Sequence, residues 1–309
     1  MQNVELHPTR CPICGTGGGA AEIYPANFDQ EAFTPAVFSA RRLPDRVHYR
    51  TVKCAACGLV RSDPVAAAET LAKLYAVSTL DYACEIPNIR RTYGRYLAKA
   101  GKYLSPAGSL LEIGCGSGFF LEEALERGYT EVRGVELSAP AAEKAVPAVR
   151  PNIRVGFMEP GSYADGRFDI ICMFQVLDHV PQPAELLDSC LRALRPGGAI
   201  LVLNHNIDAV SARLLGERSP IVDIEHTFLY GEKTLARLVE SRGFRVAEAG
   251  AAFNTYSLNY LARLLPLPPA LKRAALRILE NSGLGKLRFN VPLGNLYLVA
   301  VKPAAGEMR

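Results

Sequence analysis

From residue 109 onward, short apolar runs alternate with amphipathic stretches. Residues 110–113, 131–137, 153–157, 168–174 and 199–203 carry the largely apolar character of strands buried on both faces. Between and after them, 119–127, 140–146, 184–194 and 232–242 read as amphipathic helices, the last stopping at Gly243 as a helix C-terminus should. Further strands are predicted at 244–248 and 296–301. This order predicts an α/β fold with a mainly parallel sheet covered by helices on both faces.

Three segments stand outside that alternation. Residues 1–65 are rich in Pro and Gly, with extended pieces at 20–24 and 47–52, and read as a small separate module. Residues 66–105 read as a helical linker or cap. Within 90–104, Tyr93, Tyr96, Leu97, Ala100 and Leu104 fall on one packing face and the basic residues on a solvated one. Residues 251–294 interrupt the main domain of 106–309 as a helical insertion, with helical patterns at 256–265 and 269–279. It is expected to form a lid over an acceptor pocket; an oligomer contact or a basic surface meeting a membrane or lipid-linked acceptor are the alternatives. Residues 241–309 hold ten Lys and Arg against three Asp and Glu, which suits a phosphate-bearing acceptor.

Composition narrows the class. Of 309 residues, 49% are apolar and 21% charged, which excludes wholesale disorder. A net charge of +4 is too mild to mark a nucleic-acid binder. No apolar run is long enough to span a membrane, and the N-terminus lacks the pattern of a signal peptide, so a cytoplasmic protein without integral membrane insertion is expected, as monomer or homodimer.

Four of the eight cysteines form two C-x-x-C knuckles, Cys11-Pro12-Ile13-Cys14 and Cys54-Ala55-Ala56-Cys57. Two knuckles supply the four soft ligands of a tetrahedral zinc site, and a closed four-sulfur shell leaves no position for water, so the expected zinc is structural. A redox dithiol would open a helix after a strand, which neither pair does. Cys84, Cys172 and Cys190 read as small packed residues.

Leu111-Glu112-Ile113-Gly114-Cys115-Gly116-Ser117-Gly118-Phe119 lies where the first strand of the alternation turns into a helix. Glycines at alternate positions let the backbone approach a ligand closely. The spacing is not the G-x-G-x-x-G of dinucleotide-binding folds. Glu136 ends the next strand, where a carboxylate accepts hydrogen bonds from both hydroxyls of a ribose.

With Phe168-Asp169-Ile170-Ile171-Cys172-Met173-Phe174-Gln175-Val176-Leu177-Asp178-His179-Val180 and Leu194-Arg195-Pro196-Gly197-Gly198, these motifs resemble class I S-adenosylmethionine-dependent methyltransferases over about residues 105–250. The resemblance implies a Rossmann-like sheet of seven strands whose last strand runs antiparallel. It implies that Gly114, Gly116 and Gly118 line the methionine end of the cofactor, that Glu136 holds the ribose, and that Leu137 packs on the adenine. Glu112, Phe174 and Gln175 complete the expected cofactor set. Where such enzymes often carry an Asp after the third strand, this chain has Phe157 and Met158, read as an apolar wall for the adenine.

Methyl transfer needs an aligned acceptor and, for a hydroxyl or acidic C–H, a base. His205 follows the fifth strand of the alternation. His226 lies in Asp223-Ile224-Glu225-His226, while His179 is expected to be structural. A four-Cys module ahead of such a domain, with Glu-His in this loop, is similar to deoxysugar C-methyltransferases. That resemblance implies His226 as the base with Glu225 orienting it, although those enzymes carry a further C-terminal domain. The expected function is methylation of a small-molecule acceptor, favouring sugars or nucleotide sugars in natural-product or polysaccharide biosynthesis. An RNA methyltransferase or a non-catalytic S-adenosylmethionine-binding protein are the alternatives; the chain shows no aromatic-basic alternation for stacking bases.

Overall fold

A computed structural model of the chain describes residues 4–28, 34, 37, 47–77, 85–104, 108–264 and 268–304; Cys84 lies outside them. The N-terminal part holds β1 (Leu6–His7), β2 (Ala20–Tyr24), β3 (Thr51–Cys54), β4 (Val60–Ser62) and β5 (Val65–Ala66), followed by helices α1 (Ala68–Ala76) and α2 (Ile86–Ala100). The alternation then runs β6 (Ser109–Ile113), α3 (Phe119–Glu126), β7 (Glu131–Glu136), α4 (Ala139–Ala142), β8 (Ile153–Val155), β9 (Phe168–Phe174), α5 (Pro183–Ala193) and β10 (Leu194–His205). After it come α6 (Val210–Leu215), β11 (Phe228–Leu229), α7 (Glu232–Ser241), β12 (Arg245–Ser257), α8 (Leu258–Leu264), α9 (Pro269–Ser282) and β13 (Arg288–Val301).

The central sheet has seven strands in the order β12-β13-β10-β9-β6-β7-β8. β10, β9, β6, β7 and β8 run parallel, while β13 is antiparallel to both β10 and β12, as expected for the last strand. Every residue of β9 is buried, which explains why its sequence is continuously apolar and does not alternate. β9 and its neighbours divide their side chains by strand parity between two cores. Leu111, Ile113, Ile171, Met173, Ile200 and Val202 meet α5, α7 and the cysteine knuckles on one face. Leu110, Ile170, Cys172, Phe174, Leu201 and Leu203 meet α2 and α3 on the other. Cys172 and Cys190 are fully buried packing residues, as expected.

On α2, Tyr93, Tyr96, Leu97 and Ala100 face the core, and the Tyr93 ring stacks on Phe174 at 3.9 Å between centroids. The opposite face is less solvated than its basic residues suggested: Arg90 pairs with Glu123 at 3.2 Å and Glu126 at 2.8 Å of α3.

Two features differ from the sequence expectation. The helical insertion is shorter than 251–294, because β12 continues to Ser257 and β13 begins at Arg288, making one long hairpin with α8 and α9 at its tip. In addition, the sheet of the cysteine module has the order β11-β4-β3-β2, so its fourth strand comes from Phe228–Leu229, far along the chain.

Candidate active site

The turn after β6 is built by left-handed glycines. Gly114 has φ +73°, and a Cβ there would lie 2.5 Å from a Val176 methyl, so this position has no room for a side chain. Gly118, φ +72°, caps α3, and its Cβ would crowd Ile153 and Val149 at 3.0 Å. The Glu136 carboxylate at the end of β7 reaches back to this turn: Gly116 N–H donates to Oε2 and Ser138 N–H to Oε1, both at 2.7 Å. Burial pushes its carboxyl above the usual range, with these amides opposing the shift. A partly desolvated carboxylate beside a glycine turn that opens a helix is suited to binding ribose hydroxyls and a charged amino-acid end.

The other expected cofactor residues divide. Leu137 and Met158 are half-buried beside this turn's strands, and Phe157 is exposed at 52% just past β8, compatible with an apolar wall. Glu112 is a buried carboxylate inside β6. The Phe174 ring is packed into the aromatic core with Tyr93 and Phe120, so its side chain serves packing. Gln175 has φ +57°, the one positive φ outside glycine among the described residues, and its side-chain oxygen is buried with no hydrogen-bond partner. A strained backbone and an unmatched polar atom at a strand's carboxyl end suit Gln175 to contact a bound ligand. These residues fit S-adenosylmethionine.

Beyond the carboxyl ends of β9 and β10 lies a cluster that the sequence did not reveal as one. Asp178 is buried at its centre. His205 Nδ1 donates to Asp178 Oδ2 at 2.7 Å, His179 Nε2 lies 3.7 Å from Oδ1, and His226 Nε2 lies 3.9 Å from Oδ2. The His226 ring sits 4.7 Å from that of His179 and 4.6 Å from that of His205. Burial alone would push Asp178 up, but His179 and the hydrogen bond from His205 outweigh it and hold the carboxyl well below the usual range. Burial holds His226 well below the ordinary imidazole range, so it is neutral at neutral pH.

The contacts around His226 differ from those implied by the resemblance. Its Nδ1 lies 2.8 Å from the Ile221 carbonyl; a carbonyl only accepts, so Nδ1 carries the proton and Nε2 the lone pair. The Ile221 carbonyl therefore orients His226. Glu225, expected in that role, offers its main-chain carbonyl to His179 Nδ1 and the Tyr75 hydroxyl. The His226 side chain is 6% exposed, whereas that of His205 is 28% exposed and uses Nδ1 for its bond to Asp178, which leaves Nε2 as its basic nitrogen. The signal for Asp178 was present in Asp178-His179 directly after the fourth strand of the alternation, but nothing in the sequence tells which histidines converge on it.

The cysteine knuckles converge as expected. The ligand sulfurs of Cys11, Cys14, Cys54 and Cys57 lie within 4.8 Å of one another. Main-chain amides of Ile13 and Cys14 point at Cys11 Sγ, where burial outweighs them and raises the thiol, and those of Ala56 and Cys57 point at Cys54 Sγ, whose thiol they and Thr16 bring down to about 6. The four sulfurs fit a tetrahedral metal ion. This module is tied to the histidine cluster: β4 pairs with β11, Thr227 and Phe228 donate main-chain N–H groups to the Asp178 carbonyl, and Ser62 donates to the His226 carbonyl.

Comparison with known proteins agrees with this fold. The methyltransferase domain family matches residues 87–249, more than half of the chain. The chain is 25% identical over 166 residues to a ubiquinone biosynthesis O-methyltransferase of Paraburkholderia xenovorans, covering 49% of this chain and 71% of that one. It is 31% identical over 115 residues to the enzyme of the same name from Alkalilimnicola ehrlichii, covering 35% and 46%. Among solved structures, a complex of the Haloferax volcanii Trm112 methyltransferase activator with a methyltransferase shares the fold with a TM-score of 0.51 at 15% identity, covering 73% of this chain and 96% of that one. The chain belongs to the methyltransferase domain family and is an S-adenosylmethionine-dependent methyltransferase.

Proposed function

We propose that the chain methylates an oxygen, or a carbon beside a carbonyl, of a small-molecule acceptor, with His205 as the base and Asp178 as its partner. The observation that carries this reading is the 2.7 Å bond from His205 Nδ1 to buried Asp178, at the carboxyl end of the sheet that also carries the Glu136 turn. S-adenosylmethionine, when bound, supplies an electrophilic methyl group. His205 Nε2 would take the acceptor's proton, and the electron pair left behind would form the new bond to the methyl carbon as that carbon's bond to the sulfonium sulfur breaks, with S-adenosylhomocysteine leaving. Asp178 fixes the tautomer of His205 and stabilises the imidazolium that results. His226, the base implied by the resemblance, lies deeper and is a less suitable proton acceptor for a bound molecule. The relatives are named for O-methylation in ubiquinone biosynthesis, which favours a hydroxyl acceptor and gives the sugar reading no support. We place a structural zinc on Cys11, Cys14, Cys54 and Cys57, where it holds β3 and β4 and, through β11, the loop that carries His226.

The test is incubation with methyl-labelled S-adenosylmethionine and fractionated small metabolites, followed by mass spectrometry. Label in a small hydroxylated or carbonyl-bearing product supports the reading. Label confined to nucleic acid, or none in any fraction, contradicts it.

A further inference from the structure

Asp178, His179 and His226 face one another with the atoms that bind metals. One ligand atom from each lies within 4.8 Å of the other two. The ring tautomers are set by carbonyls. His226 Nδ1 donates to Ile221, and His179 Nδ1 lies 3.1 Å from the Glu225 carbonyl and 3.0 Å from the Tyr75 hydroxyl; with the Tyr75 proton on that same carbonyl at 3.3 Å, the ring proton of His179 sits on Nδ1. In the neutral rings both Nε2 atoms therefore point lone pairs toward the Asp178 carboxylate, at 3.7 and 3.9 Å, beyond hydrogen-bond reach. Asp178 Oδ1 is buried and has no hydrogen-bond partner. Two lone pairs and an unmatched carboxylate oxygen meeting in a buried place repel one another unless something positive lies between them.

We propose that these three residues bind a divalent first-row transition-metal ion at the acceptor side of the active site, separate from the cysteine knuckles. Two imidazoles and one carboxylate form a ligand set that leaves coordination positions for an exogenous oxygen. The imidazole nitrogens remote from the site are each bonded to a main-chain carbonyl, the support that metal-binding histidines need. Ligand atoms about 2.1 Å from one ion stand about 3–3.5 Å apart, so small side-chain rotations complete the site. The remaining carboxylate oxygen, Oδ2, holds His205, which places the base beside the ion. The open positions face the side on which His179 and His205 are partly exposed, where an acceptor hydroxyl or carbonyl oxygen binds the ion and has its pKa lowered. This role in orienting the acceptor rests on the methyl-transfer reading; the metal site itself does not.

The experiment reads metal binding without cofactor or acceptor. Protein whose cysteine site is filled with zinc is titrated with Co²⁺ and followed by visible absorption. The wild type is expected to bind one further Co²⁺, with bands of nitrogen and oxygen coordination and no thiolate charge transfer. Affinity is expected to fall at least about tenfold in Asp178→Asn and in His179→Gln, the latter partly exposed and the safer variant for folding, and to persist in His205→Gln. No further Co²⁺ bound by the wild type, or equal binding by wild type and His179→Gln, overturns the proposal.

Discussion

Ser62 Oγ donates a 2.9 Å hydrogen bond to the carbonyl of His226, 164 residues further along the chain. Beside it, Ser62 N–H donates to the Thr227 carbonyl at 2.9 Å. The cysteine module thus supplies the strand edge on which the histidine loop is built. Ser62→Ala should destabilise the protein by about 1 kcal/mol and speed amide exchange across residues 224–229, with cofactor affinity unchanged. Hydrogen-exchange mass spectrometry checks this. Exchange in that segment equal to wild type would separate the module from the loop.

Removing the proposed zinc from the cysteine site should have the larger effect on the same segment. Chelation is expected to lower the melting temperature and expose 224–229 and 51–62 together, while the glycine turn at 114–118 stays protected. Loss of protection at the glycine turn alone would contradict the proposed division of labour.

Glu136→Gln should weaken S-adenosylhomocysteine binding roughly 10- to 100-fold, the worth of charge-assisted hydrogen bonds of about 1.5–3 kcal/mol. Isothermal calorimetry measures it. Unchanged affinity would remove Glu136 from the ribose site.

His205→Gln should lower kcat by about two to four orders of magnitude and leave cofactor affinity intact. His205 partners Asp178 through Nδ1, so Asp178→Asn should shift the pH–rate profile as well as lower the rate. A rate within a few-fold of wild type for His205→Gln would move the base elsewhere.

Lys99 of α2 donates to Glu248 of β12 at 2.6 Å, and Tyr297 and Tyr103 add bonds of 2.7 and 2.9 Å. The Lys99 bond, with those of the tyrosines, pulls the Glu248 carboxyl down to about 2 from an ordinary 4.5. A depressed carboxylate adds stability that is complete above its unfolded value and lost as pH falls toward its folded one. Stability should therefore decline between about pH 4.5 and 2, by a small amount because the group is solvent-screened. Thermal melts of wild type and Glu248→Gln at pH 7 and pH 3 check it: their difference should shrink at the lower pH. A difference that grows on acidification would contradict the sign.

The parts of this protein readable from sequence were those whose physics is local. β9 announced itself because a strand buried on both faces must be apolar throughout, and Glu136 because a strand end follows the glycine turn at a short distance. The knuckles of Cys11 and Cys54 carry their ligands within four residues each. What could not be read depends on distant pairing. β11 is two residues long and is a strand only because β4 lies beside it. The outer half of β12 has mixed burial, so its pattern over 251–257 gave no strand signal. The role of Asp178 emerges only when residues 179, 205 and 226 come together in space.

A crystal structure of the protein with S-adenosylhomocysteine tests the central claim most directly. The account predicts the ligand against the turn at 114–118, its ribose hydroxyls on the Glu136 carboxylate, and its sulfur directed toward the side on which His205 and Asp178 lie. A ligand bound elsewhere, or none at saturating concentration, would contradict it.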